Sequence, residues 1–529
     1  MRRFVVVFLL ACNGGSDPAV DAGVDAPSGP WRSSLYPADW TPGFQDAEGR
    51  RLPDFSYAGY KYGDAVPVVA GPTVDVGTYG ALGDGTTDDG PAIQAAVDAA
   101  SKGGVIRFDA KPYRIATPVV VRTSGIVLRG AGRGKTRLFI EHVTASPPEY
   151  LRFEGAEKLG PDDLLASDAR GGDSSVVVSD PSAFKTGDEV AVGFVVTDAF
   201  VAAHGMTGVW SQFNGQWRPF FHRRVVSVDV VARRVVLDVP LRYDVLVRDG
   251  ASVRSETGFL HDVGIEDLTL GDAGDYDRAW TRDRLHALSF HAVADAWAVR
   301  LDSAAPPWAR DEAGAPTDRF HFESGGVFVD LSARVTLRDL SFAGAQNRGG
   351  GGDGYLVELS RSNEVLVADA VVRRGRHNFI QNWDFGTSGC VFLRTTSQDG
   401  ISMSSKGDTL GLTGTSEFHH SLAMENLIDD SVADDGWKCI NRGLESSGAG
   451  HAGTSNVFWN VRGKGILTSK QYRFGYVVGT GPELVVDTRI EAITGAGTEP
   501  EDWVEGAGRA STLVPQSLYE DQRLRRLSR

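Results

Sequence analysis

The sequence predicts an all-β fold: a solenoid of stacked coils, with a capping helix near its amino end and a small antiparallel β insertion. Composition is the first reason. The chain has 529 residues with 64 Gly and 23 Pro, and short runs rich in Val, Phe and Trp recur where long amphipathic helical patterns would otherwise be expected. Spacing is the second. The runs RVTLRDLSF, EVLVADAVV, CVFLRTTS, NLIDDSVA and NVFWNVRG begin at residues 334, 364, 390, 426 and 456. Intervals of about 30, 26, 36 and 30 residues are those of stacked repeats, in which each unit buries its apolar side only against its neighbours.

Residues 1–12, MRRFVVVFLLAC, hold two arginines and an apolar run from Phe4 to Leu10 that is too short to span a bilayer. They resemble a bacterial lipoprotein signal, which implies that Cys12 becomes the lipidated first residue of an exported protein. Asn13 stands where an Asp would favour inner-membrane retention, so the expected address is the outer membrane or cell surface. Residues 13–50 are expected to be a disordered tether and amino-terminal arm, because NGGSDPAVDAGVDAPSGP is poor in aromatics and rich in Gly, Pro, Asp and Ala.

Residues 51–172 are expected to form the cap and first coils. Thr87 or Asp88 can cap a helix that has Pro91 in its first turn and Ile93, Ala96, Val97 and Ala100 on one face. The short strands GVIRF, YRI, PVVV and IVLRGAG follow. Gly80-Ala81, Gly83-Asp84-Gly85, Asp88-Asp89 and Ala92-Ile93-Gln94 resemble the amino-terminal cap pattern of the pectate lyase superfamily. The resemblance implies a right-handed parallel β-helix and says little about substrate. GAGRGKT at 130–136 lacks the earlier glycine of a phosphate-binding loop, since Arg129 stands there, and is read as a β-helix turn.

From 173 to 250 the texture changes to alternating strands with tight turns, and Arg224 to Asp238 reads as a hairpin, so an antiparallel insertion is expected. The main parallel β-helix is expected over 251–495, followed by a tail over 496–529. RLPDFSYAGY and the tail resemble uncharacterised secreted bacterial β-helix proteins grouped with polysaccharide lyases and pectinase-like hydrolases.

The formal net charge is −15, which argues against nucleic acid as a partner of the whole surface and requires a local basic patch for any acidic polysaccharide. After Cys12 only Cys390 and Cys439 remain. Both sit in strand-like runs and read as small buried apolar residues. A monomer is expected.

The chemistry concentrates in RHNFIQNW, EFHHSLAM and GWKCINRG. Placed at similar heights on consecutive coils, they gather His377, Asn378, Asn382, His419, His420, Lys438, Asn441 and Arg442 on one outer face. A row of polar groups can also be structural, as inward ladders of Asn or Ser that bond along the stack. Arg376 with Arg373, Arg374, Lys470 and Arg473 reverses the global charge locally, which suits a carboxylated or sulfated sugar chain. His451, Trp459, Asn460, Gln471, Tyr472 and Tyr476 extend the candidate surface, and the glycines of QNRGGGGDGY frame it.

Three functions stand open. A polysaccharide lyase acting on a uronic acid needs a carboxylate clamp, a base and a proton donor. Asn378, Asn382, Asn441 and Arg442 are the candidates for the clamp, Lys438 or a histidine for the base, and Tyr472 or His451 for the acid, with Asp429, Asp430, Asp434 or Asp435 as Ca2+ ligands. A glycoside hydrolase would use Asp434-Asp435 and Gly450-His451, which faintly resemble the paired aspartates and Gly-His of polygalacturonases; that family's Asn-Thr-Asp and Arg-Ile-Lys are absent. A non-catalytic, surface-tethered polysaccharide binder is the third.

Overall fold

The computed structural model describes residues 29–211, 213–408, 410–490 and 499–529. Cys12 and the first part of the tether lie outside the described residues.

The chain folds as a right-handed parallel β-helix. Thr336 pairs with Leu366, Leu366 with Val391, Val391 with Leu427 and Leu427 with Val457, all in parallel, so each repeated anchor of the sequence begins a new coil. A ten-stranded wall runs the length of the helix. From the amino-terminal end it contains Val119–Val121, Leu151–Glu154, His286–His291, Gly325–Asp330, Tyr355–Ser360, His377–Gln381, Ser416–Phe418, Trp437–Cys439, Ile466–Ser469 and Val485–Asp487. The interior is apolar, with Leu288, Val327, Val357, Phe379, Phe418, Trp437 and Leu467 in one continuous core. Where polar side chains enter it, they form ladders. Asn426 donates from its backbone N and Nδ2 to Asn456 Oδ1, and Asn456 repeats the pattern to Gln471 Oε1. Each buried amide group is thereby paired without a break in coil spacing.

The helix Gly90–Ala99 covers the amino-terminal end, with Ile93, Ala96 and Val97 buried against the first coils. The paired aspartates tie this cap together. Asp89 Oδ1 accepts from Leu82 N at 2.7 Å, and Asp88 Oδ2 accepts from Thr117 Oγ1 at 2.6 Å. The antiparallel sheet spans Lys158–Leu159 to Ser252–Thr257, wider than the 173–250 read from sequence, because its outer strands are short and polar. It packs on the solenoid through Phe385, Leu422, Met424 and Tyr472. Arg223 of this sheet and Arg242 of the loop that follows its strand Arg234–Leu237 reach Glu364 in the solenoid at 2.9 and 3.2 Å.

The two ends of the described chain cover a second wall. Leu35, Tyr36, Trp40, Leu52 and Phe55 bury against Leu427, Val457, Trp459 and Tyr476, together with Leu518 and Tyr519 of the helix Leu518–Leu527. The residues up to 50 are therefore packed arm from Trp31 onward. Cys390 and Cys439 are free thiols buried in the core. Among the described residues no helix is long and apolar enough to cross a membrane.

Candidate functional site

The ten-stranded wall carries one cleft at its centre, of about 290 Å³, on the coils that contain RHNFIQNW and EFHH. Register explains the gathering. Tyr355 pairs with His377, Ile380 with Glu417 and Glu417 with Lys438, so parallel stacking brings side chains far apart in sequence to adjacent positions.

Tyr355, His419 and His420 lie in the cleft, with Arg284, Arg376, Asn382 and Trp383 around them. Gly350, Gly351 and Gly352 form one rim. A Cβ on Gly352 would lie 2.6 Å from Arg284 Cγ, and its φ is +104°, so only glycine lets this loop rest against that arginine. Trp383 forms the opposite rim, 36% exposed, 4.5 Å from the His420 ring and with φ +43°. A bulky residue held in the left-handed region costs about 1–2 kcal/mol, strain of the kind that clusters at ligand sites.

Beneath the cleft sits Glu417, 1% exposed. Its Oε1 accepts from Arg442 Nη1 and lies 3.4 Å from Lys438 Nζ. Its Oε2 lies 3.1 Å from His419 Nδ1 and 3.5 Å from His377 Nε2. Burial opposes ionisation of this carboxyl, but the charges around it outweigh burial and hold it well below the usual range. Burial pushes His377 down to about 3 and His420 down to about 4, so both rings are neutral at neutral pH. Burial raises the Tyr355 hydroxyl, which therefore keeps its proton.

The histidines divide by their partners. His420 Nε2 meets the Ser446 carbonyl at 2.8 Å, which only accepts, so this nitrogen carries the proton and Nδ1 accepts from Ser421 Oγ at 2.7 Å. Both nitrogens are occupied. His377 Nδ1 donates to the Thr415 carbonyl at 2.5 Å. His419 turns Nδ1 to Glu417 and lines the cleft with its ring. Arg376 donates to the Gly349 carbonyl at 2.7 Å and forms no ion pair with a carboxylate among the described residues. Asn382 Nδ2 and Arg284 Nη2 both donate to Glu358 Oε1, at 2.9 and 2.8 Å.

Several residues singled out in the sequence lie elsewhere. Trp459 and Tyr476 are buried under the arm and carboxy-terminal helix and have no face for a sugar. Asn460 bonds Asp430 and Gln516 in the same region, and Gln471 belongs to the inner ladder. Tyr472 donates its hydroxyl to the Ala203 carbonyl, and His451 Nε2 meets the His204 carbonyl, so both belong to the seam with the antiparallel sheet and neither can protonate a substrate in the cleft. Burial pushes His451 down to about 4. Asn378 is consumed by Gly375 N, Gln398 O and Asp435. Asn441 Oδ1 accepts from Gly443 N and holds a turn.

The acidic candidates also disperse. Asp429 caps the helix Leu518–Leu527, accepting from Ser517 Oγ, Leu518 N and Tyr519 N, and burial raises it to about 7. Asp430 pairs with Arg462 at 2.8 Å, and Asp434 accepts from Gln398 Nε2. Asp435 is buried and accepts from Ser397 Oγ, Asn378 Nδ2 and Gly400 N. These four carboxylates form no common Ca2+ cage, and the pair Asp434-Asp435 does not face the cleft as the acid and base of a hydrolase.

Glu417, Tyr355, Trp383 and Arg284 escaped the sequence reading. A signal for Glu417 was present, since it precedes Phe418-His419-His420 with the strand period that places it beside His419.

Residues 73–144 match a family model described as rhamnogalacturonase A/epimerase, pectate lyase-like. Mannuronan C5-epimerase AlgE3 of Azotobacter vinelandii is 37% identical over 102 residues, 17% of this chain and 6% of that protein. Mannuronan C5-epimerase AlgE4 of the same organism is 40% identical over 70 residues, 12% of this chain and 13% of that protein. The tailspike protein gp49 of Pseudomonas phage LKA1 aligns over 82% of this chain and 78% of its own at 12% identity and a TM-score of 0.38. The chain thus spans a small part of the curated relatives it matches. It is a right-handed parallel β-helix protein with a pectate lyase-like amino-terminal segment.

Proposed function

We propose that this protein is a carbohydrate-active enzyme that binds an acidic polysaccharide in the central cleft and removes the proton alpha to a uronate carboxylate. The observation that carries the reading is Arg376. On a chain of net charge −15 it is a cleft guanidinium with no carboxylate partner among the described residues, placed beside Tyr355 and His419. Arg376 pairs the sugar carboxylate and lowers the cost of the carbanion-like transition state, while Tyr355 and His419 are the groups that move protons. Their ring centroids are 6.4 Å apart. Trp383 offers its exposed face to a sugar ring.

β-Elimination is the reaction proposed first. Epimerisation shares the same proton removal and is favoured as the second reading by the partial likeness to mannuronan C5-epimerases. The protein is proposed to act as a monomer, exported and anchored through a lipid on Cys12. Incubation with a panel of uronate polymers tests the reading. Elimination gives near-ultraviolet absorbance, and epimerisation in D2O gives deuterium at C5 without it. Reducing ends with neither signal would overturn the proposal.

A further inference from the structure

The lower side of the cleft contains an arrangement that proton transfer does not explain. His377 Nδ1 donates to a carbonyl, so the neutral ring presents a lone pair at Nε2. That lone pair lies 3.5 Å from Glu417 Oε2, itself an acceptor, and His419 Nδ1 lies 3.1 Å from the same oxygen. None of the three atoms has a hydrogen-bond partner outside the trio, and all three are buried. The residues are 5%, 1% and 5% exposed. The His377 lone pair thus faces another acceptor in a buried place, which costs about 1–3 kcal/mol unless a positive charge lies between the two.

We propose that His377 Nε2, Glu417 Oε2 and His419 Nδ1 form a site for one divalent transition-metal ion of the Zn2+ class. The dimensions fit. Bonds of about 2.0–2.2 Å in a tetrahedral shell place ligand atoms about 3.3–3.6 Å apart, close to the 3.1 and 3.5 Å observed. The third pair, between the two imidazole nitrogens, closes within 4.8 Å. Two imidazoles and one carboxylate select a borderline ion over Ca2+, which takes six to eight oxygens. The outer contacts are those of a metal site as well. The Thr415 carbonyl sets the His377 tautomer, and Arg442 and Lys438 hold Oε1 so that Oε2 turns to the histidines. Three protein ligands leave a fourth position open.

A second cluster, Glu157, His222 and Glu256, serves as the contrast. There His222 Nδ1 hydrogen-bonds both oxygens of Glu256, at 2.9 and 3.1 Å, so this nitrogen and the whole carboxylate already satisfy each other.

The site stands whatever reaction the cleft performs, Tyr355 being the proton-transfer group that remains when His419 Nδ1 holds the ion, and its test reads metal content. Chelator-treated protein dialysed against Zn2+ should hold one equivalent by elemental analysis, and Co2+ in its place should show the visible absorbance of a four-coordinate ion. His377→Gln and His419→Gln should each weaken Zn2+ binding by at least about 100-fold, the upper end of what outer contacts contribute. Glu256→Gln and His420→Gln should leave it unchanged. A folded wild-type protein that retains no Zn2+, or an affinity unaltered in both ligand variants, would overturn the proposal. Should a variant not fold, the Co2+ spectrum of the wild type decides, with octahedral, weakly absorbing cobalt as the contrary result.

Discussion

Removing the Glu417 carboxylate should unbalance the site from below. Glu417 is 1% exposed and is the shared counter-charge of Arg442, whose side chain is 10% exposed, and of Lys438, at 32%. Breaking a buried ion pair by deleting one partner costs about 3–5 kcal/mol, because the remaining charge is left desolvated. Two features place Glu417→Ala at the lower end. Lys438 can turn to solvent, and Arg442 keeps Ser446 Oγ at 3.2 Å and Glu445 at 3.5 Å. The expected loss is about 3 kcal/mol. Glu417→Gln keeps an acceptor for Arg442 and should lose about half as much. Urea denaturation followed by circular dichroism reads both, with chelator present so that bound metal contributes nothing. A Glu417→Ala midpoint equal to that of the wild type would refute the view of Glu417 as the counter-charge on which the site is built.

Three further outcomes are expected. His261 lies 3.2 Å from Glu189 Oε2, and its bonds to Asp295 and Glu189 raise it from 6.5 to about 9. Folding therefore strengthens its hold on a proton, and the stabilisation is complete below its unfolded value and lost as pH rises through 9. The melting temperature of the wild type should exceed that of His261→Gln most near about pH 6 and converge with it by about pH 10; a constant gap would contradict the assignment. Tyr472→Phe deletes the hydrogen bond to Ala203 at the seam and should cost about 1 kcal/mol with activity retained, whereas a tenfold fall in activity would return Tyr472 to the site. Cys12→Ser should abolish incorporation of labelled palmitate and release the protein from membranes, and retained label would exclude Cys12 as the anchor.

The fold was legible because a β-helix writes its period into the chain. Asp88 and Asp89 tie the cap together through hydrogen bonds from Thr117 and Leu82, and each anchor from 334 to 456 opens a coil. The cleft was half legible. His419, Arg376 and Asn382 are conspicuous because polar residues crowd a strand that should be apolar. Glu417 gains its role only from stacking, which sets it between Ile380 and Lys438 of neighbouring coils, and Arg284 arrives from an earlier coil. The errors over Trp459, Tyr476 and Tyr472 share a physical cause. Parallel stacking tells which residues face outward but not what later covers them. The arm, the carboxy-terminal helix and the antiparallel sheet bury faces that the repeat pattern alone leaves open.

The most direct measurement of the central claim is proton exchange at the carbon alpha to the carboxylate, followed by nuclear magnetic resonance and near-ultraviolet absorbance together, on a uronate polymer in D2O. The wild type should either incorporate deuterium at C5 or generate the conjugated double bond. Arg376→Ala and Tyr355→Phe should each reduce that rate by about two orders of magnitude or more, with the unfolding midpoint little changed. Full activity in both variants, or loss of the substrate's glycosidic bonds with C5 protons intact and no absorbance, would contradict it.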